Sequence, residues 1–130
     1  MSDLLKITKA EDRVTILHLE GKLDGQSEDG LIQAAQAEFD AGTRSLLLEF
    51  SGVKMVTSAG LRALHTIYKM FTPLEEIQAW KTEHPGETFK SPYFKIAQPS
   101  PDLHYTLSIS GFLHSIYIYP SLKDAVDSFS

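Results

Sequence analysis

Leu46-Leu47-Leu48-Glu49-Phe50-Ser51-Gly52-Val53-Lys54-Met55-Val56-Thr57-Ser58-Ala59-Gly60-Leu61-Arg62-Ala63-Leu64 decides how this chain is read. Its apolar opening predicts a strand over residues 45–50, and three consecutive leucines suggest burial on both faces, as a central parallel strand requires. A turn and a cluster of small residues follow. An amphipathic helix then begins directly after Ser58, with Leu61, Leu64, Ile67 or Tyr68, and Phe71 near helical spacing and Arg62 and Lys69 facing away. Ser58 therefore sits among unpaired backbone N–H groups at the positive end of a helix dipole. Local pattern makes it the N-cap. The same groups would hold a phosphate carried on its hydroxyl, so capping and phosphoacceptor roles are compatible.

The pattern continues on both sides. Residues 14–19 read as a strand ended by Gly21, and residues 5–8 as a shorter strand before it, with Glu11 and Asp12 in the turn of an N-terminal hairpin. Ser27 caps a helix to about residue 41, with Leu31, Ala34, Ala35 and Phe39 inward and Gly42 at the stop. Pro73 ends or kinks the helix after Ser58. Residues 93–97 form a strand, Ser100-Pro101 opens a helix that Gly111 stops, and residues 115–119 form the last strand. Tyr117 and Tyr119 alternate on one face of that strand, a pattern assigned to core packing. Ser121 with Asp124 resembles a capping box for a closing helix that lines up Leu122, Ala125, Val126 and Phe129. The order β-β-α-β-α-β-α-β-α predicts an α/β domain with a mostly parallel sheet, an antiparallel N-terminal hairpin strand and about four helices.

Composition narrows the function. The 130 residues suit one domain that buries a real core. Zero cysteines exclude disulfides, thiol catalysis and thiolate metal sites, and suit a reducing cytoplasm. A formal charge of −5 with scattered Lys and Arg argues against nucleic acid. The N-terminal residues do not form a secretory signal. Residues 103–122 carry no formal charge, but their two His, four Ser, Gly, Pro and Thr are too polar for a membrane span.

At this point the sequence resembles the STAS domain family, the anti-sigma factor antagonists and their relatives. Gly21-Lys22-Leu23-Asp24 is similar to the family's Gly-x-Leu-Asp after the second strand, and Leu47-Leu48-Glu49-Phe50-Ser51-Gly52-Val53 to its central strand and turn. Thr57-Ser58-Ala59-Gly60-Leu61 stands where the family usually has Asp-Ser-Ser/Thr-Gly-Leu, and Ser110-Gly111-Phe112 where it has Ser-Gly-Leu. The element order agrees from about residue 4 to 129.

The resemblance implies partner switching. Ser58 would be phosphorylated by an anti-sigma factor that is also a serine kinase, a PP2C-type phosphatase would reset it, and Asp24, Thr57, Ala59, Gly60 and Arg62 would frame the docking surface. A phosphate adds about −1.5 to −2 charges at the centre of such a surface. Two departures stand out: Thr57 replaces the usual Asp beside the acceptor, and Ala59 removes a second acceptor. The Asp-to-Thr change raises the alternative of a constitutive STAS subunit docked on a transport ATPase without phosphorylation. Residues 72–92 are longer than the family's usual connection and read as an insertion, with a short helix over 73–82 and a mobile turn at His84-Pro85-Gly86. That segment is either a neutral surface insertion or an added partner or dimer contact centred on Trp80, the only tryptophan.

Other chemistries find less support. His18, His65, His84, His104 and His114 form no close pair at ligand spacing, so no metal and no cofactor is expected. His18 and His65 read as structural or surface residues. Val-Thr-Ser-Ala-Gly is not the Gly-x-Ser-x-Gly of a nucleophile elbow, and Gly52 and Gly60 lack the lysine and spacing of a P-loop. A small serine hydrolase using Ser58 is the remote alternative, and the chain is read as a non-enzyme. The sequence leaves partner, signal and homo-oligomerisation open.

Overall fold

In the computed structural model, which describes residues 5–11, 14–111 and 114–129, five strands form one sheet in the order β1-β2-β3-β4-β5. β1 (Lys6–Glu11) pairs antiparallel with β2 (Thr15–Leu23), and β3 (Leu46–Val56), β4 (Ser91–Ala97) and β5 (Ile116–Tyr119) continue in parallel. The helices are α1 (Glu28–Asp40), α2 (Ser58–Phe71), α3 (Leu74–Glu83), α4 (Pro101–Ile109) and α5 (Leu122–Asp127). The mixed α/β sheet with its antiparallel hairpin is the expected one. Asp12 and Phe112 lie outside the described residues. No helix among the described residues is long and apolar enough to cross a membrane; the described residues of 103–122 divide between α4, β5, the start of α5 and the segments joining them.

β1 runs on through Glu11, which pairs with Thr15 instead of lying in the expected turn. Two boundaries along the β2–β3 ladder also differ from the sequence reading, for one reason. Gly21 does not end β2: it adopts φ +118° and the strand runs on to Leu23. Residues 51–56 are likewise not a turn but the second half of β3. Register shifts between His18 and Glu20 and between Gly21 and Lys22 put extra residues on β3, so bulges absorb what looks locally like strand-ending chemistry. Gly52 faces β2 so closely that a Cβ there would lie 3.0 Å from the Leu19 carbonyl oxygen. The extended β3 ends beside the end of β2, where the Thr57 N–H donates to the Leu23 carbonyl (3.0 Å).

The two faces of the sheet are covered unequally. One face (Leu17, Leu48, Phe50, Phe94 and Ile96 among its residues) packs under α1, α2 and α4 in a single core. Among the described residues the other carries only α5, whose Ala125 and Val126 sit on Ile16, Leu47 and Ala97. Polar groups occupy the remainder of that second face. His18 Nδ1 lies 2.9 Å from Glu49, which also accepts from the Ser51 N–H (2.6 Å). Burial alone would push the Glu49 carboxyl up, but the hydrogen bonds from Ser51 and His18 outweigh it and hold the group below its ordinary value. Lys95, only 4% exposed, points at Phe129, Tyr117 and Tyr119, with its ammonium 4.4, 5.2 and 5.9 Å from the ring centres. It donates to the Ser128 carbonyl (3.1 Å) and hydroxyl (3.0 Å), and burial pushes it below the usual lysine value. Tyr117 is therefore not a core residue. It is 39% exposed and flanks Lys95 instead.

Local signals place the later helices well. Ser100 accepts from the Leu103 N–H (3.2 Å) with Pro101 in the first turn, and Gly111 follows α4 with φ +88°. Ser121 accepts from the Asp124 N–H (3.1 Å) at the start of α5. Pro73 separates α2 from α3, and α3 lies where a short helix was expected. It buries no residue completely; Trp80 is half-buried between His84 (ring centres 4.2 Å, stacked) and Phe89 (5.6 Å, edge-on).

Candidate functional site

α1 and α2 run side by side in the same direction. Glu28 meets Arg62 at one end and the Phe39 and Phe71 rings meet edge-on at the other (5.3 Å). Both helices therefore begin at the carboxyl edge of the parallel strands, where open α/β sheets place their binding sites. There the fold brings together Asp24, Thr57, Ser58, Ala59, Gly60 and Arg62.

Thr57, not Ser58, is the N-cap of α2. Its backbone is extended (φ −97°, ψ −178°), its hydroxyl accepts from the Gly60 N–H (3.4 Å) and its carbonyl from the Leu61 N–H (2.9 Å). Ser58 is the first residue of the helix, exposed, and its hydroxyl has no hydrogen-bond partner among the described residues. The expected capping role thus falls one residue earlier, because β3 holds Thr57 in the extended conformation that an N-cap needs. No acidic side chain sits in the first turn of α2.

Gly60 seats this helix start. A Cβ on it would lie 2.4 Å from the Leu23 carbonyl oxygen and 2.9 Å from side-chain atoms of Leu23 and Val56, so only glycine lets α2 approach the end of β2. Ala59 faces the β2–α1 loop: a Cβ on Gly25 would be 4.0 Å from that of Ala59. Within that loop the Asp24 carboxylate accepts from the N–H groups of Gln26 (3.0 Å) and Ser27 (3.3 Å), so Asp24 shapes the turn into α1. Ser27, which is buried, makes no capping bond; its hydroxyl donates to the Lys22 carbonyl (2.8 Å) and accepts from the Asp24 N–H (2.9 Å).

Arg62 is not simply solvated. Its Nε and Nη2 donate to the two carboxylate oxygens of Glu28 at 3.0 and 3.1 Å, a fork that ties the start of α1 to the first turns of α2. Sequence reasoning missed Glu28, since the pairing spans 34 residues and becomes visible only when both helices start on the same edge.

Beyond Ser58 a groove of about 390 Å³ runs along α2, lined by Leu61, Arg62, His65, Tyr68 and, across from them, Ser110 and Ser115 between α4 and β5 and Ile116 at the start of β5. Its lower end is fixed by Tyr68, whose phenol burial pushes up and a hydrogen bond with Ser115 partly offsets. His65 is exposed and stacks on Tyr68 (6.2 Å). The sequence reading put Leu61 and Tyr68 inward and Arg62 facing away; that Arg62 and His65 share a groove with them, and what forms its facing wall, came only from the structure. No histidine is hydrogen-bonded to Ser58 among the described residues, so no nucleophile–base pair is formed there, and no group of three metal-ligating side chains is found among them. Trp80 stands apart, past the far end of α2, about 20 Å of helix away.

With this geometry in view, comparison with known proteins gives a consistent result. The STAS domain model matches residues 6–75, more than half of the chain. An anti-sigma factor antagonist from Mycobacterium paratuberculosis superposes with a TM-score of 0.77 at 20% identity, covering 99% of this chain and 97% of that one. A STAS domain protein from Planctomyces limnophilus described as an anti-sigma-factor antagonist gives 0.66 at 15% identity, with 97% of each chain covered. The Bacillus cell fate determinant SpoIIAA in its phosphorylated form gives 0.61 at 12% identity, covering 97% of this chain and 99% of that one. At these identities the likeness is one of fold. Comparison with curated protein sequences gives no match.

Proposed function

This chain belongs to the STAS domain family, and on that premise we propose that it is a cytoplasmic partner-switching regulator of the anti-sigma factor antagonist type, controlled by phosphorylation of Ser58. One observation carries the reading: Ser58 is exposed at the first position of α2 while Thr57 does the capping. Its hydroxyl can be esterified without removing a bond that holds the helix. A partner kinase would transfer the γ-phosphoryl of ATP: the Ser58 Oγ–P bond forms, the bond to the ADP leaving group breaks, and the hydroxyl proton passes to a base of the kinase. A PP2C-type phosphatase would reverse the modification by hydrolysis, releasing inorganic phosphate.

The phosphate would be stabilised locally by the helix start and felt globally by the partner. It adds about −1.5 to −2 charges where Thr57, Ala59 and Arg62 frame the docking surface. Asp24 and Gly60 contribute by shaping the loop and seating the helix. Residues 72–92 we propose as an insertion that adds a contact around Trp80, for a partner or a second copy. Deleting residues 74–90 without changing partner affinity or oligomeric state would remove that part.

The test is phosphopeptide mass spectrometry on the protein from its native host under several growth conditions, paired with partner affinity of Ser58→Asp. Phosphate on Ser58 that varies with condition, and weakened kinase binding by Ser58→Asp, are expected. A well-detected peptide that never carries phosphate, or a Ser58→Asp variant that binds as tightly as the parent, sinks the switch and favours constitutive docking, the reading that Thr57 in place of Asp supports.

A further inference from the structure

We propose that Arg62 receives the phosphate on Ser58, and that it does so by giving up Glu28: its guanidinium fork moves from a carboxylate at the start of α1 to the phosphate at the start of α2. The inference rests on the phosphoacceptor reading above and deepens it by naming the internal ligand that modification displaces.

The fork is already built and already occupied. Nε and Nη2 of Arg62 present two parallel donors, and both are used by Glu28, at 3.0 and 3.1 Å. That donor geometry fits a phosphate as well as a carboxylate. Ser58 and Arg62 are one helical turn apart, about 5–6 Å between Cβ atoms, and both line the groove along α2. Arg62 is the one Lys or Arg among the groove's described lining residues. Its side chain is 67% exposed and that of Glu28 is 20% exposed, so the fork can swing without unpacking the core.

Charge decides the direction. A carboxylate offers one negative charge, whereas phosphoserine offers nearly two and three acceptor oxygens. The existing pair is bidentate but open to solvent on the arginine side, where screening limits what its geometry is worth. Once the fork has moved, Glu28 is left as a free carboxylate at the first position of α1, next to Asp29. The modified surface then differs from the unmodified one in two ways at once. It carries the phosphate, and it has lost the bridge between the two helix starts.

The experiment uses the whole chain with phosphoserine incorporated at position 58 during translation, beside the unmodified chain, each with and without Glu28→Gln. The Arg62 Nε–H resonance is followed by proton–nitrogen correlation spectra. Exchange expects Glu28→Gln to move that resonance in the unmodified chain and to leave it in place in the phosphorylated one. Equal displacement in both chains means that the fork never leaves Glu28 and overturns the proposal. A phosphorus NMR titration supplies the second readout. Arg62→Gln should raise the second pKa of the phosphate by about half a unit, because the fork favours the dianion, and Arg62→Lys should fall between. Identical titrations in all three would also overturn it. Since the phosphate is installed by translation, the result is independent of any native kinase: absence of phosphate in cells defeats the functional reading alone, and an immobile fork defeats the exchange alone.

Discussion

α1 and α2 begin with matching patterns, a hydroxyl residue at the N-cap and a glycine at the third helical position: Ser27-Glu28-Asp29-Gly30 in one, Thr57-Ser58-Ala59-Gly60 in the other. The chain uses them oppositely. At α1 the hydroxyl is turned back into the preceding loop, the first turn carries two acids, and a Cβ on the glycine would meet nothing within 4 Å. At α2 the hydroxyl caps, the first turn carries no acid, and the glycine is wedged against β2. Side-chain carboxylates already complement the dipole at the first helix start, and the second is left open beside an exposed serine. The same sequence pattern thus builds one closed helix start and one that an added anion can complete.

Alanine substitutions sharpen the contrast, and the largest effect belongs to the wedge. Gly60→Ala should destabilise the fold by about 3 kcal/mol, since α2 must withdraw from Leu23 and Val56; denaturant unfolding measures it, and a loss below about 1 kcal/mol would mean that the helix start is loosely seated. Ser27→Ala should cost about 1–2 kcal/mol in the same assay, because it strips partners from the Lys22 carbonyl and the Asp24 N–H in a buried position. Thr57→Ala should cost about 1 kcal/mol and Ser58→Ala less than about 0.5 kcal/mol. A reversed order for that pair would return the cap to Ser58. Gly30→Ala should stabilise by about 0.5 kcal/mol, with a small rise in thermal midpoint, as the intrinsic helix preference for alanine predicts where space is open. Finding that Gly30→Ala and Gly60→Ala behave alike would erase the distinction between the two starts.

These details also mark where the sequence is readable. The ends of α4 and the start of α5 were legible because Ser100, Pro101, Gly111 and Ser121 act on their own neighbours. Alternation of strands and helices, and hence the sheet, was legible for the same local reason. What was not legible depends on partners distant in the chain. Ser51-Gly52 looks like a turn until β2 pairs with it through bulges, and Gly21 looks like a terminator until it becomes part of the same irregular ladder. Thr57 and Ser58 are both competent caps, and the choice follows from how far β3 extends. Glu28 had no reason to be paired with Arg62 until the helices were laid in parallel. The candidate site was therefore found as a stretch around Ser58, while its wiring was not.

The second face of the sheet supplies an internal reporter on the integrity of the frame. Lys95 is shut under Phe129 and held by Ser128, with burial pushing its ammonium below the ordinary value. An amine-directed acylating reagent needs a neutral amine and a path to it; Lys95 leans toward the first and lacks the second. Its labelling rate would thus time the lifting of α5, while the exposed lysines record only the reagent. A variant near Ser58 that alters partner binding without altering this clock has changed the surface and left the frame alone.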